Sequence, residues 1–195
     1  MHDELNLFLN EMADVKPLKA DELQPDIHRN QLDGNLEQRR AQAQESEYLA
    51  KLTTDIGMIK PVEPDAIFAY QEQGVQGAVF RNLKNGHYKF ETQLDVHGYK
   101  VKQARAAVID YILNMSELGQ RCAYIIHGKG YKSQPFPGVL KSFVCHWLSE
   151  MEEVLAVHSA LRQHGGTGAV YVMLAKSAQS KIDTREQNHK GVGFR

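Results

Sequence analysis

Hydrophobic periodicity is weak over the first ninety residues and sharp after them. Leu5, Leu7, Phe8, Leu9 and Met12 supply one apolar stripe of a short helix, which Pro17 and Pro25 interrupt. Residues 26–47 are almost wholly polar. Residues 38–45 favour helix by propensity but have almost nothing to bury. That stretch is expected to be exposed or mobile and to add little to a core. Pro61 and Pro64 mark another break, after which Ile67, Phe68, Val75, Val79, Phe80 and Leu83 predict one or two short helices before Asn85-Gly86.

From Thr92 the pattern is decisive. Leu94 and Val96 alternate with Asp95 and His97, a half-buried strand stopped by Gly98. Val101, Ala104, Val108, Tyr111, Ile112, Met115 and Leu118 recur at helical spacing as far as Gly119. Residues 122–126 form a short apolar run and predict a buried strand. Leu140, Phe143, Val144, Trp147, Leu148 and Met151 mark the cleanest amphipathic helix in the chain. Residues 154–157 and 169–174 predict two further strands. The order is βαβαββ, a two-layer α/β sandwich with a mixed sheet. Its first two strands are joined by a helix, so they should run parallel and end on one sheet edge. Ligands of open α/β sheets bind at that carboxyl edge.

Two short motifs stand there. Asp95 and His97 fall on one face of their strand, with Leu94 and Val96 on the other. A carboxylate can hold one imidazole nitrogen and leave the second free for proton transfer, or both groups can contact a metal. An isolated D-x-H is more often a solvent-facing strand side, so spacing alone does not settle its role. His127, Gly128, Lys129 and Gly130 follow the second strand, where backbone amides can form a phosphate-binding concavity and Lys129 and Lys132 add positive charge. A plain glycine-rich turn fits the same residues equally well, and the Walker A and Rossmann spacings are both absent. Gly165 and Gly166, in the loop between the last two strands, are candidates for a third wall. His146 and His158 lie in amphipathic elements and read as structural, and Cys122 and Cys145 as small buried hydrophobes.

Composition narrows the partners. Residues 1–93 carry 16 acidic and 10 basic side chains, net −6, and residues 94–195 carry 8 and 13, net +5. The second half also holds six of the nine histidines, so an anionic partner belongs to that half. Two distant cysteines exclude a disulfide framework and a zinc–thiolate cluster. No apolar run reaches the roughly 18 residues of a membrane span, and the acidic start is unlike a signal peptide. A cytoplasmic protein without membrane contact is expected.

Taken together, residues 94–98 (L-D-V-H-G), the helix opening near Val101, residues 126–130 (I-H-G-K-G) and residues 165–169 (G-G-T-G-A) resemble the Smr (small MutS-related) domain, whose hallmarks are L-D-x-H and H-G-x-G. Phe8, Met12, Val15, Pro17, Leu18 and the approach from Gly86 to Leu94 further resemble the stand-alone bacterial Smr proteins, the A type more than the B type. The resemblance implies a fold similar to the C-terminal domain of translation initiation factor 3. It also implies a nucleic-acid endonuclease, DNA nicking first, with RNA cleavage in some members. Asp95 and His97 would be the catalytic pair. His127, Gly128, Lys129, Gly130, Lys132, Gly165 and Gly166 would hold phosphate. A divalent ion, Mg or Mn, is expected if DNA is the substrate. The alternatives are an RNA endonuclease acting on ribosome-associated mRNA and a non-catalytic nucleic-acid or ribosome-binding module, the ribosome being reached through the N-terminal region. The expected division is an N-terminal extension over 1–91, an Smr domain over 92–176 and a polar tail over 177–195.

Overall fold

A computed structural model of the chain describes residues 27–176. The apolar stripe expected over residues 5–12 and the polar tail after Lys176 lie outside them. The chain divides into two units at Arg40/Ala41. Of the first unit, the described part is the polar opening of helix α1 (Ile27–Lys51). Everything below concerns the second.

The predicted βαβαββ order is present as β2 (Gln93–Asp95), α3 (Val101–Glu117), β3 (Cys122–Ile126), α4 (Val139–Glu150), β4 (Val154–Ser159) and β5 (Ala169–Leu174). Ahead of it come β1 (Ala69–Gln71) and α2 (Gly77–Lys84). The sheet runs β1-β4-β5-β3-β2. Strands β2 and β3 are parallel, with Asp95 opposite Ile126, and the other pairs are antiparallel. The carboxyl ends of β2, β3 and β4 therefore share one edge with the start of β5 and the chain entering β1.

Alternation along β5 shows why it reads as an unbroken apolar run. Val170, Val172 and Leu174 join the larger core with Ile109, Ile112, Phe143 and Trp147, while Ala169, Tyr171 and Met173 join a second cluster with Leu83. The first cluster packs α3 and α4 on one face of the sheet, the two-layer arrangement that was expected. The second places α2 and the rings of Tyr88 and Phe90 against the other face. Phe143 and Trp147 are fully buried. Burial of a Phe-sized side chain contributes roughly 1.5–3 kcal/mol. Cys122 and Cys145 are buried as expected, and desolvation pushes their thiols up to about 11 and about 12.

One expectation holds with an addition, and one needs correction. The polar stretch is a continuous helix, and although its described side chains up to Glu47 are exposed or half-buried, its last turn is anchored. Tyr48 and Leu52 are core residues, and the Tyr48 hydroxyl donates to Glu153 Oε2 at 2.7 Å while accepting the Glu152 N–H at 3.0 Å. The compact unit begins at residue 41 and so takes in part of the extension expected over 1–91. Short helices were expected between Pro64 and Gly86, and one is present, but β1 precedes it as an edge strand on β4. Three residues with one inward side chain, Tyr70, are too short to register as alternation.

The segment before β1 is fastened along the first turn of α4. Val62 N–H donates to Ser142 Oγ at 2.8 Å. Gly138, at φ +81°, lets the Val62 carbonyl approach so closely that a Cβ there would lie 2.6 Å from its oxygen. Lys141 completes the clamp. Its side chain is buried, and its ammonium donates to the carbonyls of Glu63 (3.0 Å), Pro64 (3.0 Å) and Ala66 (2.6 Å). Desolvation lowers its pKa, and the three carbonyls satisfy its donors. Among the described residues, no helix is long and apolar enough to cross a membrane.

Candidate functional site

The site begins where β2 stops. Val96 is pinned in the core and donates its N–H to Ile126 O at 2.9 Å, so the chain cannot slide as it turns. Gly98, at φ +77°, and a bond from Tyr99 N–H to Val96 O at 3.0 Å make that turn. His97 is thereby folded back on Asp95. Asp95 Oδ1 accepts both the His97 backbone N–H at 3.0 Å and its ring Nδ1–H at 2.6 Å. A carboxylate only accepts, so Nδ1 carries the proton and Nε2 of the neutral ring offers a lone pair. The His97 side chain is 70% exposed and that of Asp95 42%. Burial pushes the Asp95 carboxyl up, but the two hydrogen bonds from His97, with the charge its ring carries when protonated, outweigh this and hold it below the ordinary value.

Next to this pair lies the loop after β3. Gly128 is the residue against His97, since a Cβ at 128 would lie 3.5 Å from the His97 Cβ. The N–H groups of His127 and Gly128 both donate to Gly168 O, at 3.0 and 2.9 Å. The two glycine loops are knotted together by that one carbonyl. These amides are therefore committed to the fold and do not face a phosphate, contrary to expectation. Lys129 and Gly130 make no such backbone bond among the described residues, which leaves their N–H groups as the loop's donors.

His127 is also corrected. Its ring is buried, Nδ1–H donates to Gly128 O at 2.8 Å, and Nε2 has no partner. Desolvation lowers its pKa to about 4, helped by the Lys141 charge and opposed by the Gly128 bond. It is a neutral wedge under the loop. A histidine after a buried strand gives no sign in sequence of which side of the loop it takes.

Lys129 is on the surface as predicted, but it is engaged. Its ammonium lies 2.8 Å from Asp65 Oδ1 and 3.3 Å from the Tyr131 hydroxyl, which itself donates to Asp65 at 2.7 Å. The hydrogen bonds from Lys129 and Tyr131 lower the Asp65 pKa, and the reciprocal bonds raise that of Lys129. Lys132 is exposed. Gly165 and Gly166, at φ +85° and +58°, shape the β4–β5 connection on the same edge. Asp65, Tyr131 and Lys141 went unrecognised in the sequence. Lys141 left a trace there, as a lysine beside Leu140 in an otherwise apolar helix; Asp65 left none.

Among the described residues no three His, Cys, Asp or Glu side chains converge as a metal site. A divalent ion here would find the second carboxylate oxygen of Asp95 and the lone pair of His97 Nε2, with no third such side chain among the described residues.

An aspartate–histidine pair and a Gly-Lys-Gly loop at the ends of adjacent parallel strands, on a sheet of this order, define the Smr domain, whose family model matches residues 94–175. The chain belongs to the Smr family. It is 34% identical over 193 residues to a probable DNA endonuclease, SmrA, of Escherichia coli K12, covering 96% of this chain and 97% of that one. It is 28% identical over 180 residues to a ribosome rescue factor, SmrB, of Haemophilus influenzae, covering 89% and 99%. The crystal structure of YdaL, a stand-alone small MutS-related protein from Escherichia coli, superposes with a TM-score of 0.56 at 33% identity, covering 64% of this chain and 94% of that one.

Proposed function

We propose that the chain is an endonuclease that cleaves phosphodiester bonds in nucleic acid, with DNA nicking as its first activity. The observation that carries this is the 2.6 Å bond from His97 Nδ1 to Asp95, which leaves an exposed Nε2 beside Gly128. Nε2 takes the proton of the attacking water, or of the 2′-hydroxyl on RNA, as the new P–O bond forms. The bond to the leaving oxygen breaks on the far side of phosphorus, and that oxygen takes its proton from water. Asp95 stabilises the imidazolium and fixes its tautomer. Lys129 and the amides of Lys129 and Gly130 face the charge that develops on phosphate. Lys129 must part from Asp65 to do so.

The relative named a probable DNA endonuclease supports DNA; the relatives named ribosome rescue factors support RNA as the second reading. One feature of the site favours that second reading. With RNA the 2′-hydroxyl attacks, so a base and its orienting carboxylate suffice, and a 2′,3′-cyclic end results. With DNA a water attacks, and a divalent ion on Asp95 would supply further activation.

The test is to incubate the purified full chain with matched DNA and RNA, with and without EDTA, and to analyse product ends. Nicked DNA lost with EDTA supports the first reading, and cyclic RNA ends made in EDTA the second. No cleavage of either, or cleavage by His97→Ala at the wild-type rate, overturns both.

A further inference from the structure

Away from the Asp95–His97 pair, the same sheet edge opens into a cleft of about 780 Å³ between the end of α2 and the β4–β5 connection. Its size is that of a ligand site. Lys84 and Arg162 line it, Lys129 with Asp65 bounds it, and Thr167 and Ile67 contribute to its walls. The two walls are in direct contact: a Cβ on Gly86 would lie 3.0 Å from Leu161.

The charges in this cleft are unevenly satisfied. Asp65 is spent on Lys129. Lys84 and Arg162 are exposed and make no ion pair among the described residues. Thr167 also lines the cleft, but its Oγ1 is buried away from the cleft surface and has no hydrogen-bond partner, so the cations are what the cleft offers a ligand. Two cations without an ion-pair partner lining one cleft call for an anion. Ile67, 70% exposed, adds an apolar surface of the kind a base or sugar covers.

Spacing decides between a small anion and a polymer. His97 follows β2 and Arg162 follows β4, three positions apart in the sheet. At 4.7–4.9 Å per strand that is about 14 Å. One phosphate cannot serve both places, whereas a strand advancing about 3.4 Å per nucleotide spans them in a few steps.

We propose that this cleft is a second phosphate subsite, in which Lys84 and Arg162 hold the backbone of the same nucleic-acid strand a few nucleotides from the bond presented to His97. The proposal rests on the nuclease reading for the strand's identity, but its test needs no cleavage.

Binding of a fluorescent 30-nucleotide single strand and of its duplex is measured across a salt series, with the full chain carrying His97→Ala throughout. Lys84→Gln/Arg162→Gln should reduce the slope of log K against log salt by about 1.4 for the single strand and about 1.8 for the duplex. Lys51→Gln/Lys60→Gln removes equal charge outside the cleft and should leave the slope unchanged. Lys84→Arg/Arg162→Lys keeps the charge and should keep the slope, and thermal unfolding identifies any variant that has lost its fold. An unchanged slope in the Gln pair overturns the subsite, as does an equal drop in the control pair. A chain that binds in this way but, with His97 restored, cuts nothing overturns the nuclease reading and leaves the subsite standing.

Discussion

Asp95 reaches His97 twice through a single oxygen: Oδ1 accepts the backbone N–H at 3.0 Å and the ring Nδ1–H at 2.6 Å. The backbone bond fixes the turn and the ring bond fixes the tautomer, so the carboxylate shapes and charges the pair at once. His97→Ala should cut cleavage by about 10²–10⁴-fold while nucleic-acid affinity changes little. Because the two side chains act as one unit, Asp95→Asn combined with His97→Ala should be no slower than His97→Ala alone. Single-turnover rates of the two single variants and the double variant measure this; additive losses would separate the residues' roles.

Asp65 occupies Lys129 as a phosphate oxygen would, through a 2.8 Å contact. Asp65→Asn should therefore bind nucleic acid more tightly and steepen the salt slope by about 0.7–0.9, one further phosphate contact. Stability should barely move, since both partners are exposed and solvent screens such a pair. Lys129→Ala should weaken binding and lower the slope by about one. Salt-dependent binding isotherms with paired melting curves check both.

Lys141 determines where Asp65 stands. Lys141→Met removes the donor to three half-buried carbonyls and leaves them without that partner. It should cost about 2–4 kcal/mol in urea unfolding. Its salt slope should rise towards that of Asp65→Asn, an outcome a purely structural lysine would not give.

His127 makes stability depend on pH. Its folded pKa of about 4 lies below the ordinary 6.5, so between those values the unfolded chain binds a proton that the folded chain refuses. Stability is present in full above pH 6.5 and is lost as pH falls towards 4. Between pH 7 and pH 5 the loss should be about 2 kcal/mol from this residue. His127→Gln should lose correspondingly less over that interval, as read from urea midpoints at the two pH values.

The parts of the fold legible in the sequence were those with a period. α3, α4 and the strands from β3 to β5 each repeat an apolar position several times, β2 is marked by Leu94 and Val96 alternating with Asp95 and His97, and its parallel pairing with β3 follows from the helix between them. β1 offered a single inward residue. The anchoring of α1 rests on Tyr48 and Leu52, two apolar positions after a long polar run. At the site, the Asp95–His97 pair was legible because two-residue spacing on a strand dictates a shared face. His127 and its neighbours obey no such spacing: the outward or inward sense of each side chain was set by Gly168, some forty residues later, through its carbonyl. Asp65 was invisible for a similar reason, since a buried lysine on another element carries it to Lys129.

β2 is the last strand of the sheet and has a neighbour on one side only. The His97 imidazole, the base of the proposed cleavage, accordingly stands at a corner, wet on every side that β3 and its loop do not cover. A corner cannot expel water by closing around its reactant, and bulk solvent there weakens every fixed charge. Whatever shelter the chemistry needs has to arrive with the polymer laid across the edge. On this view the substrate is also the missing wall of the active site, and fragments too short to form that wall should react slowly however well they fit.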